Sequence, residues 1–222
     1  MDLKKIKNSI GPNVRQHVLV IQKLYELDEN KKYKLIDVGA AERYLKKFIP
    51  KNVSYYSLDC SGKQDYVFDL DKGKIPIKNN SFDIIVCLET LEHTLYPHKV
   101  MQELVRIAKP NALFLLSMPN EYNFYCRLNF LFNKKTFVQE PFQVIEKHLH
   151  IQIPRVEDII KFFSTYVKIE EINYQWYSRT GGHNRNFKGG LFVFMDNLIN
   201  LIKNISPSLF TRSVIVKGRL IK

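Results

Sequence analysis

A chain of 222 residues with 45% hydrophobic and 13% aromatic content can bury one sizeable core, and no composition shift, linker or repeat divides it. Three cysteines, Cys60, Cys87 and Cys126, match neither a zinc ribbon nor a redox pair, and no window reaches the roughly 18 apolar residues of a spanning helix, which argues against a disulfide scaffold and an integral membrane protein. The formal charge of +12 is uneven, with eight Lys/Arg but only Asp196 among acids in residues 178–222; nucleic acid, an anionic substrate, an anionic membrane surface, or a lysine-rich surface with no such partner all fit it.

The opening MDLKKIKNSIGPN lacks the apolar stretch of a signal peptide, so the expected location is the cytoplasm, with peripheral membrane contact open. Val14 to Leu27 carries Val14, Val18, Ile21, Leu24 and Tyr25 at helical spacing and runs into the polar DENKK, which predicts an N-terminal helix within residues 1–30. Five apolar runs follow, KLIDVG, VSYYSLD, YVFDL, FDIIVCLE and ALFLLSMP, alternating with helical or loop segments. Strands in that alternation imply a parallel sheet with helices on both faces, hence a Rossmann-like α/β fold. Helices are predicted at Tyr96–Ile107, stopped by Lys109-Pro110, and at Arg155–Phe163, and strands at Val167–Tyr177 and Arg212–Ile221. The last strand follows the turn SPSLF directly, which predicts an edge hairpin or an antiparallel insertion. Residues 1–222 are read as one domain, with 178–211 as a lid or insertion beside the acceptor site.

A parallel sheet places its ligand beyond the carboxyl ends of its strands. Gly39 ends the first run, where backbone can approach a ligand closely, and Asp59 ends the second, 20 positions later, where an acid can accept ribose hydroxyls. The order of strand tip, glycine, helix and second acid favours a nucleoside-containing cofactor over the alternative of a tight turn and a helix cap.

Residues 34–120 resemble the class I S-adenosylmethionine-dependent methyltransferases of the small-molecule type, through IDVGAAE, LDCS, DLDKGKIPIKNNSFDIIVCLETLEH and ELVRIAKPNALFLLSMPN in that order. The resemblance implies a seven-stranded, mostly parallel sheet with an antiparallel last strand, and S-adenosylmethionine as cofactor with S-adenosylhomocysteine as product. It implies cofactor contacts from Asp37, Gly39, Ala41, Asp59, Cys60, Asp69, Leu70 and Leu88, and an active-site face opening at Glu89. One departure is the loop Gly39-Ala40-Ala41-Glu42, where the family has two or three glycines.

Asp83, at a strand start after the KNN turn, reads as a structural turn carboxylate. Glu89, Glu92 and His93 form E-x-x-E-H; on a helix they share one face and would shape the acceptor pocket. The same three are candidate ligands for a divalent ion, a use that some relatives make of the pattern and that is not the favoured reading here. His148 and His150 in KHLHIQIP lie on the substrate side, where a later histidine could complete such an ion site, and His93 or His150 is the candidate general base beside Glu89. The segment PNEYNFYCRLNFLFNKKTF, with Arg127, Lys134 and Lys135, reads as a substrate roof, a membrane-facing surface or a packed helix. The apolar LFVFM run and residues 198–205 must likewise cover the core, a partner or lipid, and Arg179, His183, Arg185 and Lys188 are positioned in sequence to meet an anionic group. The expected reaction is O-methylation of a small-molecule or lipid-linked saccharide acceptor. The rivals are RNA ribose methylation and a methyltransferase-like module that only binds a partner. Oligomeric state is not legible.

Overall fold

The computed structural model describes residues 15–132, 150–176 and 198–221. Helix α1 (Arg15–Tyr25) leads into strand β1 (Tyr33–Val38), followed by a short 3₁₀ helix (Tyr44–Phe48), β2 (Val53–Asp59), the two-residue β3 (Tyr66–Val67) and β4 (Phe82–Leu88). Then come α2 (Pro97–Ile107), β5 (Ala108–Pro119), α3 (Phe124–Leu131), α4 (Val156–Ser164), β6 (Val167–Gln175) and β7 (Ser213–Leu220).

The strands form one sheet in the order β3-β2-β1-β4-β5-β7-β6. Pairings among β1 to β5 are parallel, whereas β7 is antiparallel to both β5 and β6. Strand β6 therefore runs with the central strands, and β7 is an antiparallel insertion between β5 and the edge strand β6. The turn SPSLF is a single helical turn, Pro207–Phe210, with proline at its first position, where its missing N–H has no helical partner to lose.

Strands β1, β4 and β5 are almost wholly buried apolar runs because helices cover both faces. Successive side chains alternate between those faces. Ile36, Val38, Ile85, Cys87, Phe114 and Leu116 pack with Val100, Met101 and Leu104 of α2 and Ile159 and Phe163 of α4. On the other face Leu35, Ile84, Val86, Leu113 and Leu115 pack with Val20, Ile21 and Leu24 of α1. The third apolar run, YVFDL, shrinks to a two-residue strand at the sheet edge, and the helix-like segment after β1 tightens to a 3₁₀ turn entered through Arg43 at φ 57°.

Asp83 sits at the amino edge of the sheet, away from the strand tips. It accepts from Lys34 N (2.9 Å) and Lys109 Nζ (2.8 Å), as a structural carboxylate would. Among the described residues no helix is long and apolar enough to cross a membrane. Residues 177–197, which carry most of the expected lid with Arg179, His183, Arg185, Lys188 and the LFVFM run, lie outside the described residues, as do His148, Lys134 and Lys135.

Arg106, in the last turn of α2, holds the loop before β4. It donates to Ile75 O, Ile77 O and Asn79 Oδ1, and pairs with Glu103, whose other contact is Ile75 N. The guanidinium holds the Glu103 carboxyl below its usual range. A depressed carboxyl contributes stability that is present above its unfolded pKa of about 4.3 and lost as pH falls through the lower folded value. Arg106→Met is expected to lower stability by about 2 kcal/mol at pH 7 and to flatten the decline below pH 4, as read by urea unfolding across pH.

Candidate active site at the carboxyl edge of the sheet

The tips of β1, β2 and β4 end together at one edge. Gly39 N and Ala40 N both donate to Leu58 O, tying the loop after β1 to β2. Gly39 has φ 71°, and a Cβ there would fall on the Thr90 side chain. The close neighbour that requires glycine is thus the loop after β4, in addition to any ligand. Thr90 Oγ1 in turn lies within hydrogen-bond reach of Val38 O (3.2 Å) and Leu88 O (3.0 Å).

Beyond Gly39 the chain returns to positive φ at Ala41 (φ 41°) and again at Arg43 (φ 57°), a conformation costing roughly 1–2 kcal/mol for a residue with a Cβ. Compensating bonds hold it there. Arg43 donates to Lys63 O and Asp65 Oδ2 and lies over the Tyr55 ring, while Asp65 also accepts from Ser57. Ala41 N donates to Asp59 Oδ2 (2.9 Å) and Cys60 N to Asp59 Oδ1 (2.7 Å), so the Asp59 carboxylate is fixed in direction and keeps spare lone pairs. Asp37 is buried behind the loop with Tyr55 Oη donating to it (2.8 Å). Burial pushes its pKa up to about 7, against the lowering effect of the Tyr55 bond.

These groups open on a cavity of about 540 Å³, within the range of small-molecule sites. Gly39, Ala41, Asp59, Cys60, Asp69 and Leu70 line one end, and Glu89, Thr90, His93, Thr94, Leu95 and Ile151 the other, with Phe68 and Asp71 between. Of the residues singled out for a cofactor, Asp37 and Leu88 are not in the lining; both are buried behind it. Thr90 and Asp71 were missed, although both stand inside quoted motifs. Asp71 accepts from Leu95 N and Tyr96 N, joining the loop after β3 to the one after β4.

Glu89, Glu92 and His93 do not share a helical face. Glu89 follows β4 at φ 48°, and only Leu91–His93 form a 3₁₀ turn. The spacing rule for helices therefore fails, and Glu89 turns toward β5 and β7, accepting from Ser117 Oγ (3.0 Å) and Ser213 Oγ (2.6 Å). Enclosure raises Glu89 above the usual carboxylate range, with the two serines opposing.

The structure instead groups Glu92, His93 and His150, whose ligand atoms lie within 4.8 Å of one another. Glu92 is 0% exposed, and neither carboxylate oxygen has a hydrogen-bond partner. Burial, then the charge of Glu89, pushes it well above the usual range. His93 Nε2 and His150 Nε2 each stand 3.9 Å from Glu92 Oε1, and the two rings meet edge to face at 4.8 Å. Ile151 N and Gln152 N donate to Glu92 O, which clamps the His150 segment to the turn after β4. Glu121, just beyond β5, reaches His150 Nδ1 at 2.7 Å. The PNEYN run holds it, but a contact spanning 29 residues leaves no local signal.

Gly39→Ala is expected to cost about 2 kcal/mol or more, from left-handed strain plus the Thr90 overlap, and thermal unfolding measures it. A raised Asp37 pKa means that its contribution is full below the unfolded value of about 3.9 and is lost as pH rises through about 7. Asp37→Asn should accordingly match the wild type near pH 4 and exceed it at pH 8 in urea midpoint.

A family model described as a methyltransferase domain matches residues 15–166. No curated protein matches the sequence. Among solved structures, an S-adenosylmethionine-dependent methyltransferase from Aquifex aeolicus is 14% identical with TM-score 0.52, covering 100% of both chains. One from Mesorhizobium loti is 13% identical with TM-score 0.55, over 94% of this chain and 100% of that one. One from Archaeoglobus fulgidus is 14% identical with TM-score 0.52, over 91% and 94%. At these identities the likeness speaks to the fold. The family match spans more than half of the 222 residues, and with it the chain belongs to the methyltransferase-domain family as a class I S-adenosylmethionine-dependent methyltransferase.

Proposed function

We propose that the protein methylates a hydroxyl of a small-molecule acceptor, with S-adenosylmethionine over the tips of β1 and β2 and the acceptor beside Glu89 and His93. The observation that carries this reading is the single cavity that joins Gly39 and Asp59 to Glu89, His93 and Ile151. Asp59, aimed by two backbone N–H groups, accepts the ribose hydroxyls, and Phe68, Asp69 and Leu70 border the base. Asp59, Asp69, Asp71 and Glu89 line the cavity, and no Lys or Arg does so among the described residues, a field that favours a sulfonium.

The cofactor supplies an electrophilic methyl group: the acceptor oxygen forms the new C–O bond as the C–S bond breaks, and the electron pair leaves with sulfur. The protein aligns the two reactants, which supplies much of the acceleration. His93, which reaches the cavity, takes the hydroxyl proton, and His150 stands behind it. Strand β7, which follows the expected lid of residues 178–211, places Ser213 Oγ on Glu89 at the acceptor side.

The resemblance also implies a divalent ion in some relatives. The orphaned Glu92 oxygens and the two imidazole Nε2 atoms fit one, so Glu92, His93 and His150 would hold it rather than Glu89, which is engaged by serines. Such an ion would act as a Lewis acid on the acceptor oxygen.

Titration calorimetry with S-adenosylhomocysteine tests the reading. Asp59→Ala is expected to weaken binding by about 1.5–3 kcal/mol, since the lost bonds are to a charged group. A folded wild type that gives no heat with cofactor or product at millimolar concentration would contradict it.

A further inference from the structure

We infer that Glu121 is a positioning residue: it holds His150 in the Nδ1–H tautomer, so that the unprotonated Nε2 faces the space shared with Glu92 and His93. A neutral imidazole has one donor nitrogen and one acceptor nitrogen. An ionised carboxylate only accepts. His150 Nδ1 lies 2.7 Å from Glu121 Oε1, so Nδ1 carries the proton and the lone pair belongs to Nε2. That nitrogen is turned toward Glu92 Oε1 at 3.9 Å, and Glu92 is enclosed with both oxygens unpartnered.

Glu121 is itself well fixed. It is 9% exposed, and its backbone N–H donates to Pro154 O on the segment that carries His150. Its neighbours lock the turn after β5: Asn120 Nδ2 donates to Ser208 O and Thr211 O, Tyr122 N to Asn120 Oδ1, and Asn123 Nδ2 to Asn120 O. The His150 segment is clamped from the other side by Glu92 O and by Gln152 Nε2 donating to Thr94 O. Two rigid turns therefore set the imidazole's plane, and a carboxylate sets which nitrogen is bare. A bare Nε2 can receive a proton or coordinate a cation; a protonated one can do neither. The consequence for methyl transfer rests on the function proposed above, whereas the tautomer does not.

Nitrogen-15 NMR of the full chain with labelled histidine tests this near neutral pH, with the His150 signals identified by their loss in His150→Gln. The expected wild-type pattern is the neutral Nδ1–H form, retained in Glu121→Gln, whose carbonyl still accepts, and lost to the Nε2–H form or a mixture in Glu121→Leu. An Nε2–H or doubly protonated His150 in the wild type would overturn the assignment, a result that needs no variant to fold. So would an unchanged tautomer in folded Glu121→Leu. Calorimetry with S-adenosylhomocysteine on the same samples separates this outcome from failure of the methyltransferase reading.

Discussion

The close passage of Gly39 against Thr90 is the constraint on which the rest of the site depends. Two central strands end level there, and the loops leaving them must cross at a distance that no Cβ permits. The Thr90 hydroxyl, within reach of Val38 O and Leu88 O, closes the gap. Because Gly39 also bonds to Leu58 O, three strand tips are tied at one point. Beyond it Ala41 and Arg43 take positive φ at alternate positions, and Ala41 N is brought under Asp59. The acid on β2 is thereby fixed in direction by the protein's own backbone, and in the function proposed above this leaves less ordering to be done on binding.

The charge of the protein and the charge of its cavity have opposite signs. A chain of formal charge +12 lines this cleft with four acids and, among the described residues, no Lys or Arg. Asp37 and Glu92 add two more carboxyl groups just behind the wall, both driven toward the neutral form by burial. A buried carboxyl group without a hydrogen-bond partner, as Glu92 is, is costly, and it persists where a proton or a cation compensates it. A cationic cofactor at one end and a proton acceptor at the other suit such a cleft.

Most of the sheet was legible because β1, β4 and β5 are apolar runs buried on both faces, and the 3.6-residue period marked α1, α2 and α4. Gly39 and Asp59 were legible because a parallel sheet leaves its ligand edge at strand tips, yet the reason for Gly39 was only half visible: Thr90 lies 51 positions away. E-x-x-E-H misled, because i, i+3, i+4 neighbours meet only on a helix and Glu89 is left-handed. The pairing of Glu92 with His150, and of His150 with Glu121, depends on where loops return over the sheet. No periodicity encodes that, so the acceptor side was the part that sequence left open.

The central claim is that the joined tips of β1, β2 and β4 hold the methyl donor. Amide hydrogen exchange followed by mass spectrometry, with and without saturating S-adenosylhomocysteine, tests it directly on the intact chain. The account predicts slowed exchange concentrated in residues 37–43, 57–71 and 89–95. Unchanged exchange there at saturation, or protection confined to surfaces away from this edge, would contradict it.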